Sequence, residues 1–355
     1  MHLRRGWHVL GKGAVGCLWA ANLQRAGIPV TLLVRTTCPE SKRRECIEVR
    51  PLWKDAEVVP WSATVAIDYI EASCDERKPV CTDDDGIIYR LVVATKAQDA
   101  GAAVASVAHR LAPNVILVML QNGLGAAEDV CGDTHVAFRS PRVIVGTTTN
   151  GSYMLGAFQV AHAGRGHTWL GTLAQNAFAC DAATLTSVAE ELSATGFALN
   201  VDPQIERRLW YKLAANSSLN PITALACCRN GRAIEQVEVL RTIRAVAVET
   251  AGVMRQSGVS TLPADELARD LYDFTVDVAA RNAENYSSMC RDVLELRRTE
   301  IDYMNGYLIR RARQHRIDVP TVEMLYGLIK CRESTFPQAS MPPTCGSGGS
   351  LFSRI

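Results

Sequence analysis

The stretch Trp7-His8-Val9-Leu10-Gly11-Lys12-Gly13-Ala14-Val15-Gly16 decides the fold of this chain. Trp7–Leu10 is an apolar run of strand length, and Val15–Ala26 after it carries a helical pattern. Between them Gly11, Gly13 and Gly16 are spaced G-x-G-x-x-G. That spacing is weak alone and informative when a strand precedes it and a helix follows. Gly11 permits the tight turn, Gly13 lets the backbone approach a pyrophosphate, and Gly16 allows close helix–strand packing. The N-terminus of the helix then turns its free N–H groups toward phosphates. The stretch reads as the opening of a dinucleotide-binding βαβ unit.

Working outward, the next strand, Val30–Val34, is followed by Arg35, with Lys42, Arg43 and Arg44 a short way on. A site for NAD usually places Asp or Glu there to accept from the ribose 2′-hydroxyl. A guanidinium suits a phosphate instead, so the expected cofactor is NADPH. Further strands are predicted at Leu91–Thr95, Val115–Leu120 and Val143–Thr149, with a helix over Asp99–Leu111. Lys96 and Asn122 each fall just past the carboxyl end of such a strand, where open parallel sheets bind their ligands. Gly123 and Gly125 allow a tight loop that presents Asn122.

From about residue 205 the texture changes to long helices: Glu206–Leu225, Gln236–Ser257, Asp265–Ala283 and Ser288–His315, with Pro320 after the last. The expectation is an α/β fold, with a Rossmann domain over residues 1–203 and an all-helical domain over 204–333. Residues 334–355, rich in Pro, Gly and Ser, are predicted to be a disordered tail.

The 355 residues suit two domains. A net charge of +1 argues against nucleic acid and membrane surfaces as partners. No apolar run reaches the roughly 18–20 residues of a membrane span, and the start lacks a secretory apolar core. The 12 cysteines have neither C-x-x-C pairs nor nearby histidine pairs, so reduced thiols and no metal are expected. The expected location is cytoplasmic. The terminal Ser353-Arg354-Ile355 loosely resembles a peroxisomal address and keeps that organelle as an alternative.

Two stretches in the helical half carry chemistry. Lys212, Asn216 and Asn220 are spaced i, i+4, i+8, and Ser288, Asp292 and Glu300 are spaced i, i+4, i+12. On α-helices each set projects from one face. Facing each other across a cleft, an amine, carboxamides, a hydroxyl and carboxylates would hold an oxygen-rich molecule and give it a proton. Lys212, as an ammonium beside a carbonyl oxygen, polarises it and delivers the proton as hydride arrives. Glu300 either holds the charge state of the lysine or binds a substrate hydroxyl. Arg297, Arg298 and Asp302 read as ion-pairing residues.

Taken together, G-K-G-A-V-G, A-T-K-A, Q-N-G-L-G, G-T-T-T, K-L-A-A-N-S-S-L-N-P-I-T-A, R-N-G and S-S-M-C-R-D-V-L-E-L-R-R-T-E-I-D-Y-M-N-G resemble the ketopantoate reductase family over residues 8–333. The resemblance implies NADPH-dependent reduction of ketopantoate (2-dehydropantoate) to (R)-pantoate in pantothenate synthesis, at a site between the two domains. It implies Lys212 as general acid and Glu300 as a second essential residue. Gly11, Lys12, Gly13, Ala14, Val15, Gly16, Arg35, Lys96, Asn122, Gly151 and Glu300 would bind the cofactor. Asn122, Lys212, Asn216, Asn220, Asn230 and Ser288 would bind substrate. Gly151 stands where a related bacterial pattern often has alanine, a change that spares a backbone contact. A monomer or homodimer is expected. A reductase of another branched 2-oxo acid, or a catalytically dead NADPH sensor, would keep the same fold.

Overall fold

The computed structural model describes residues 6–36, 43–52, 59–71, 86–173 and 176–337. The chain opens with β1 (Trp7–Leu10), α1 (Ala14–Arg25) and β2 (Val30–Thr36), then β3 (Arg43–Pro51) and β4 (Trp61–Glu71). β5 (Ile88–Val93), α2 (Ala97–Ala105), β6 (Leu111–Met119), α3 (Ala126–Gly132), α4 (Thr134–Ala137) and β7 (Arg142–Thr148) follow. β8 (Gly151–Gly156), β9 (Gln159–Gly164), β10 (His167–Gly171), α5 (Ala182–Ser193) and β11 (Ala198–Val201) complete this half.

Among the described residues all eleven strands join one sheet, ordered β11-β10-β7-β6-β5-β1-β2-β4-β3-β9-β8. From β4 through β2, β1, β5 and β6 to β7 every neighbouring pair is parallel. The chain starts in the middle, winds outward through β2, then returns to β5 on the other side of β1. The carboxyl ends of β1 and β5 therefore flank a switch point, where such sheets leave a crevice. Alternation along β1 feeds two cores: Trp7 and Val9 pack with α1 residues, whereas Leu10 joins Leu33, Leu91 and Val93 on the opposite face.

The second half is helical: α6 (Ile205–Ala226), α7 (Asn230–Ile234), α8 (Val237–Gln256), α9 (Ala264–Arg281), α10 (Ser288–Leu294), α11 (Asn305–His315) and α12 (Pro320–Ser334). Helix α6 lies among α8, α9, α10 and α12. Its Leu209, Trp210 and Leu213 belong to the same buried cluster as Leu91 and Leu117 of the sheet. That shared core sets the helical half against the carboxyl ends of the parallel strands.

Several expectations are corrected. The single helix anticipated over Ser288–His315 is broken into α10, a 3₁₀ turn at Ile301–Tyr303 and α11. Leu296, with φ of 53°, closes α10 in the left-handed region. Leu296 N–H donates to Val293 O and Arg297 N–H to Asp292 O, at 3.2 and 2.7 Å, the hydrogen-bond pair of a Schellman close. Glycine normally fills that position, and its absence hid the stop. Ser288, Asp292 and Glu300 are thus not on one helical face. The helix anticipated over Asp99–Leu111 ends at Ala105, and Leu111 already belongs to β6. Pro320 begins α12 as its first residue, where the missing N–H costs nothing. Strands β3, β4 and β8–β11 were not anticipated. Lys42 and residues 338–355, including Ser353-Arg354-Ile355, lie outside the described residues. Of the predicted tail, Ser334 ends α12 instead.

Candidate active site

The glycine turn has the geometry of a ligand cradle. Gly11 has φ of 117°, and a Cβ there would stand 3.0 Å from Thr95 N. A Cβ on Gly16 would fall 1.9 Å from Gly11 O, so α1 closes on β1 only with glycine at that position. A Cβ on Gly13 would meet nothing within 4 Å: this residue faces open space. Gly13 precedes α1, and Lys12 and Gly13 are exposed while Ala14 and Val15 are half-buried. Leu10, Gly11, Lys12, Gly13, Leu33, Arg35, Ala94, Thr95, Lys96 and Asp99 line a cavity of about 300 Å³. Thr95 Oγ1 is buried there without a hydrogen-bond partner among the described residues. An open backbone at a helix N-terminus, a basic rim and an unmatched hydroxyl fit a phosphorylated, hydroxyl-rich group such as a dinucleotide. At the far side Arg35, on β2, reaches Asp99 Oδ1 at 3.7 Å.

Lys212 projects from α6 to the end of β7. Its ammonium donates to Thr147 Oγ1 at 3.0 Å and Thr148 O at 3.1 Å. Burial pushes its pKa down to about 8, while the charge of Glu300 pulls the other way. Glu300, itself buried, accepts from Ala97 N–H at 3.0 Å and from Asn122 Nδ2 at 3.4 Å. Burial raises its pKa; the Ala97 N–H, the Lys96 charge and the Asn122 amide oppose that rise. Lys96 in turn meets Asp292 Oδ2 at 2.7 Å and donates to Arg298 O at 3.1 Å. Burial raises the Asp292 pKa, against the pull of Lys96 and Arg297.

Glu300, Asn122, Ala97 and Lys96 thus meet where the ends of β5 and β6 face the segment after α10. Lys212 meets the end of β7. Gly11 stands at the end of β1 and Arg35 near the end of β2. The four spacings from β7 to β2, about 4.8 Å each, span roughly 19 Å, a length suited to one extended ligand. The ion pairs anticipated for Arg297 and Arg298 are present, with Asp292 Oδ1 at 3.1 Å and Asp302 Oδ2 at 3.0 Å.

The other named residues are placed less directly. Asn216 and Asn220 share a face of α6 with Lys212; Asn216 is half-buried, and Asn220 is buried with its amide 3.8 Å from Met304 Sδ. Asn230, buried at the start of α7, donates to Asn282 O at 3.1 Å, and its Oδ1 has no partner among the described residues. Ser288 is exposed at the start of α10. The buried N-cap of that helix is Ser287, whose hydroxyl is 2.7 Å from Thr223 Oγ1. Gly151 is exposed at the start of β8. The same strand carries Tyr153, whose ring lies 4.2 Å from the guanidinium of Arg291 on α10. The sequence reading missed Thr147, Thr148 and Asp99; G-T-T-T was visible as a motif, but its contact with Lys212 was not. Among the described residues no group of three His, Cys, Asp or Glu could hold a metal ion. No described helix is long and apolar enough to cross a membrane.

Fold and site define a class: a Rossmann-type α/β domain with an all-helical companion, its polar site at the carboxyl ends of the parallel strands. A family model described as ketopantoate reductase PanE/ApbA matches residues 7–175, and its C-terminal counterpart matches residues 204–333. The chain is 31% identical over 337 residues to the 2-dehydropantoate 2-reductase of Vibrio cholerae, covering 93% of this chain and 99% of that one. The enzyme of the same name from Archaeoglobus fulgidus is 28% identical over 326 residues, covering 92% and 97%. The chain belongs to the ketopantoate reductase family. Its fold matches that of a PanE/ApbA family ketopantoate reductase from Ralstonia eutropha, with a TM-score of 0.73, 23% identity and coverage of 93% and 99%. It also matches the fold of a D-mandelate dehydrogenase solved with NADH and anilino(oxo)acetate, with a TM-score of 0.74, 17% identity and coverage of 94% and 99%.

Proposed function

We propose that this chain catalyses the NADPH-dependent reduction of 2-dehydropantoate to (R)-pantoate, a step toward pantothenate. The observation that carries the reading is Lys212. Its ammonium is held by Thr147 Oγ1 and Thr148 O at the carboxyl end of β7, with its pKa brought down to about 8. An ammonium has three donors and two are engaged, which leaves one N–H for a substrate oxygen. NADPH, when bound, supplies the hydride. Lys212 stabilises the charge developing on the carbonyl oxygen and transfers its proton to that oxygen.

Glu300 serves as the buried counter-charge that keeps Lys212 protonated, and Asn122 tethers it at 3.4 Å. Gly11, Lys12, Gly13, Ala14, Val15 and Gly16 cradle the pyrophosphate, and Arg35 takes the 2′-phosphate. Lys96 and Gly151 flank the cofactor. Asn216, Asn220, Asn230 and Ser288 orient the substrate carboxylate and hydroxyl as uncharged donors. The work divides between a cofactor domain at residues 1–203 and a substrate domain at 204–333, in a cytoplasmic monomer or homodimer.

The test is NADPH oxidation followed by absorbance with a panel of 2-oxo acids. 2-Dehydropantoate is expected to give the highest kcat/KM. A higher value for another branched or aromatic 2-oxo acid would reassign the substrate, and no turnover with any acid would end the enzymatic reading.

A further inference from the structure

Arg35 shares the dinucleotide cavity with an acid. Asp99, in the first turn of α2, lines the same wall as Arg35, Lys96 and Thr95. Its Oδ1 lies 3.7 Å from Arg35 Nη2, and both side chains are more than a third exposed. That separation exceeds a hydrogen bond, so the two groups are not locked together. Both the carboxylate and the guanidinium therefore remain open to a ligand. The other cations facing this region are Lys12 and Lys96 on the cavity wall and Arg298, whose guanidinium feels the charge of Asp99. Lys96 is engaged by Asp292 at 2.7 Å and does not neutralise Asp99.

Two opposite recognition chemistries thus occupy one place. A carboxylate accepts from the 2′-hydroxyl of an unphosphorylated ribose, and a guanidinium binds a 2′-phosphate. We propose that Asp99 is a specificity-determining residue that moderates the preference for NADPH over NADH, repelling the 2′-phosphate that Arg35 attracts and accepting from the 2′-hydroxyl of NADH. This rests on the reading of Arg35 as the phosphate ligand.

Dissociation constants for NADPH and NADH, read from nicotinamide fluorescence or calorimetry, test it in the unmodified protein, Asp99→Asn and Arg35→Ala. Asp99 is half-exposed, and thermal unfolding checks that Asp99→Asn stays folded. Asp99→Asn is expected to tighten NADPH about 3- to 10-fold, the effect of removing one charge beside a dianion in a solvated cavity. NADH should bind equally or more weakly. The gain for NADPH should shrink at high salt, which screens an exposed carboxylate. Unchanged or weaker NADPH binding in Asp99→Asn, with Arg35→Ala still costing NADPH affinity, overturns the role of Asp99 and leaves that of Arg35 intact. If Arg35→Ala does not weaken NADPH, the phosphate reading itself fails, and the inference fails with it.

Discussion

Glu333 Oε1 accepts two hydrogen bonds of 2.7 Å from Thr299, one from its N–H and one from its hydroxyl. The last turn of α12 therefore fixes the residue that precedes Glu300. Neighbouring α12 side chains reinforce the hold: Tyr326 donates to Asp302 Oδ1 at 2.8 Å, and Lys330 to Asp302 Oδ2 at 3.3 Å. The short link between α10 and the 3₁₀ turn, residues 297–300, belongs to no helix or strand and is kept in place by this helix. The position of Glu300 against Ala97 and Asn122 depends on that anchoring.

Glu333→Ala should strand a buried N–H and hydroxyl on Thr299, at a cost of about 1–3 kcal/mol seen as a lower melting temperature. Glu333→Gln keeps an accepting oxygen and should recover most of the loss. If Glu300 shifts in the alanine variant, its charge supports Lys212 less, and the upper limb of the kcat–pH profile should move below its normal position. An unshifted limb together with a lowered melting temperature would make Glu333 purely structural.

The Lys212 ammonium is the proposed acid, so reduction requires its protonated form. Burial depresses its pKa from 10.5 to about 8, so activity should be full below that value and fall as pH rises through it. Lys212→Ala should lower kcat by ~10²–10⁴ with the fold retained, and the alkaline limb should disappear. Glu300→Ala should also be severe, and the double variant little worse than the worse single one, as for residues acting as a unit. Near-normal kcat with an unchanged limb in Lys212→Ala would place the proton donor elsewhere.

Gly13 and Gly16 should separate binding from folding. Gly13 faces open space at φ of −73°, so Gly13→Ala should melt near the parent temperature and lose dinucleotide affinity. A Cβ on Gly16 would lie 1.9 Å from Gly11 O, so Gly16→Ala should destabilise the domain whether or not cofactor is present. Equal loss of stability in both variants would argue against a ligand at Gly13.

Ser288 and Asn220 are proposed substrate contacts in different surroundings. Ser288 is exposed, so Ser288→Ala should raise KM for 2-dehydropantoate with little change in melting temperature or NADPH affinity. Asn220 is buried on α6, so Asn220→Ala should raise KM and also cost some stability. Loss of NADPH affinity in Ser288→Ala, measured by titration, would assign it to the cofactor instead.

Where chemistry depends on a local backbone demand, the sequence by itself was sufficient. Gly11 and Gly16 mark a turn that no side chain tolerates, between an apolar strand and a helix, and this made the Rossmann unit legible. Helix α6 runs unbroken past Lys212, Asn216 and Asn220, so periodicity alone put them on one face. Tertiary structure decided what periodicity could not carry. The chain turns at Leu296, without a glycine to announce it, because hydrogen bonds to α12 and the Asp292–Arg297 pair outweigh a left-handed backbone costing roughly 1–2 kcal/mol. The partners of Lys212 lie 65 and 64 residues away, that of Glu300 at Ala97 lies 203 away, and the Arg35–Asp99 pair joins two separate elements. Such contacts exist only after the sheet and the helical half have buried a common core, because local propensity reaches no further than a few turns of chain.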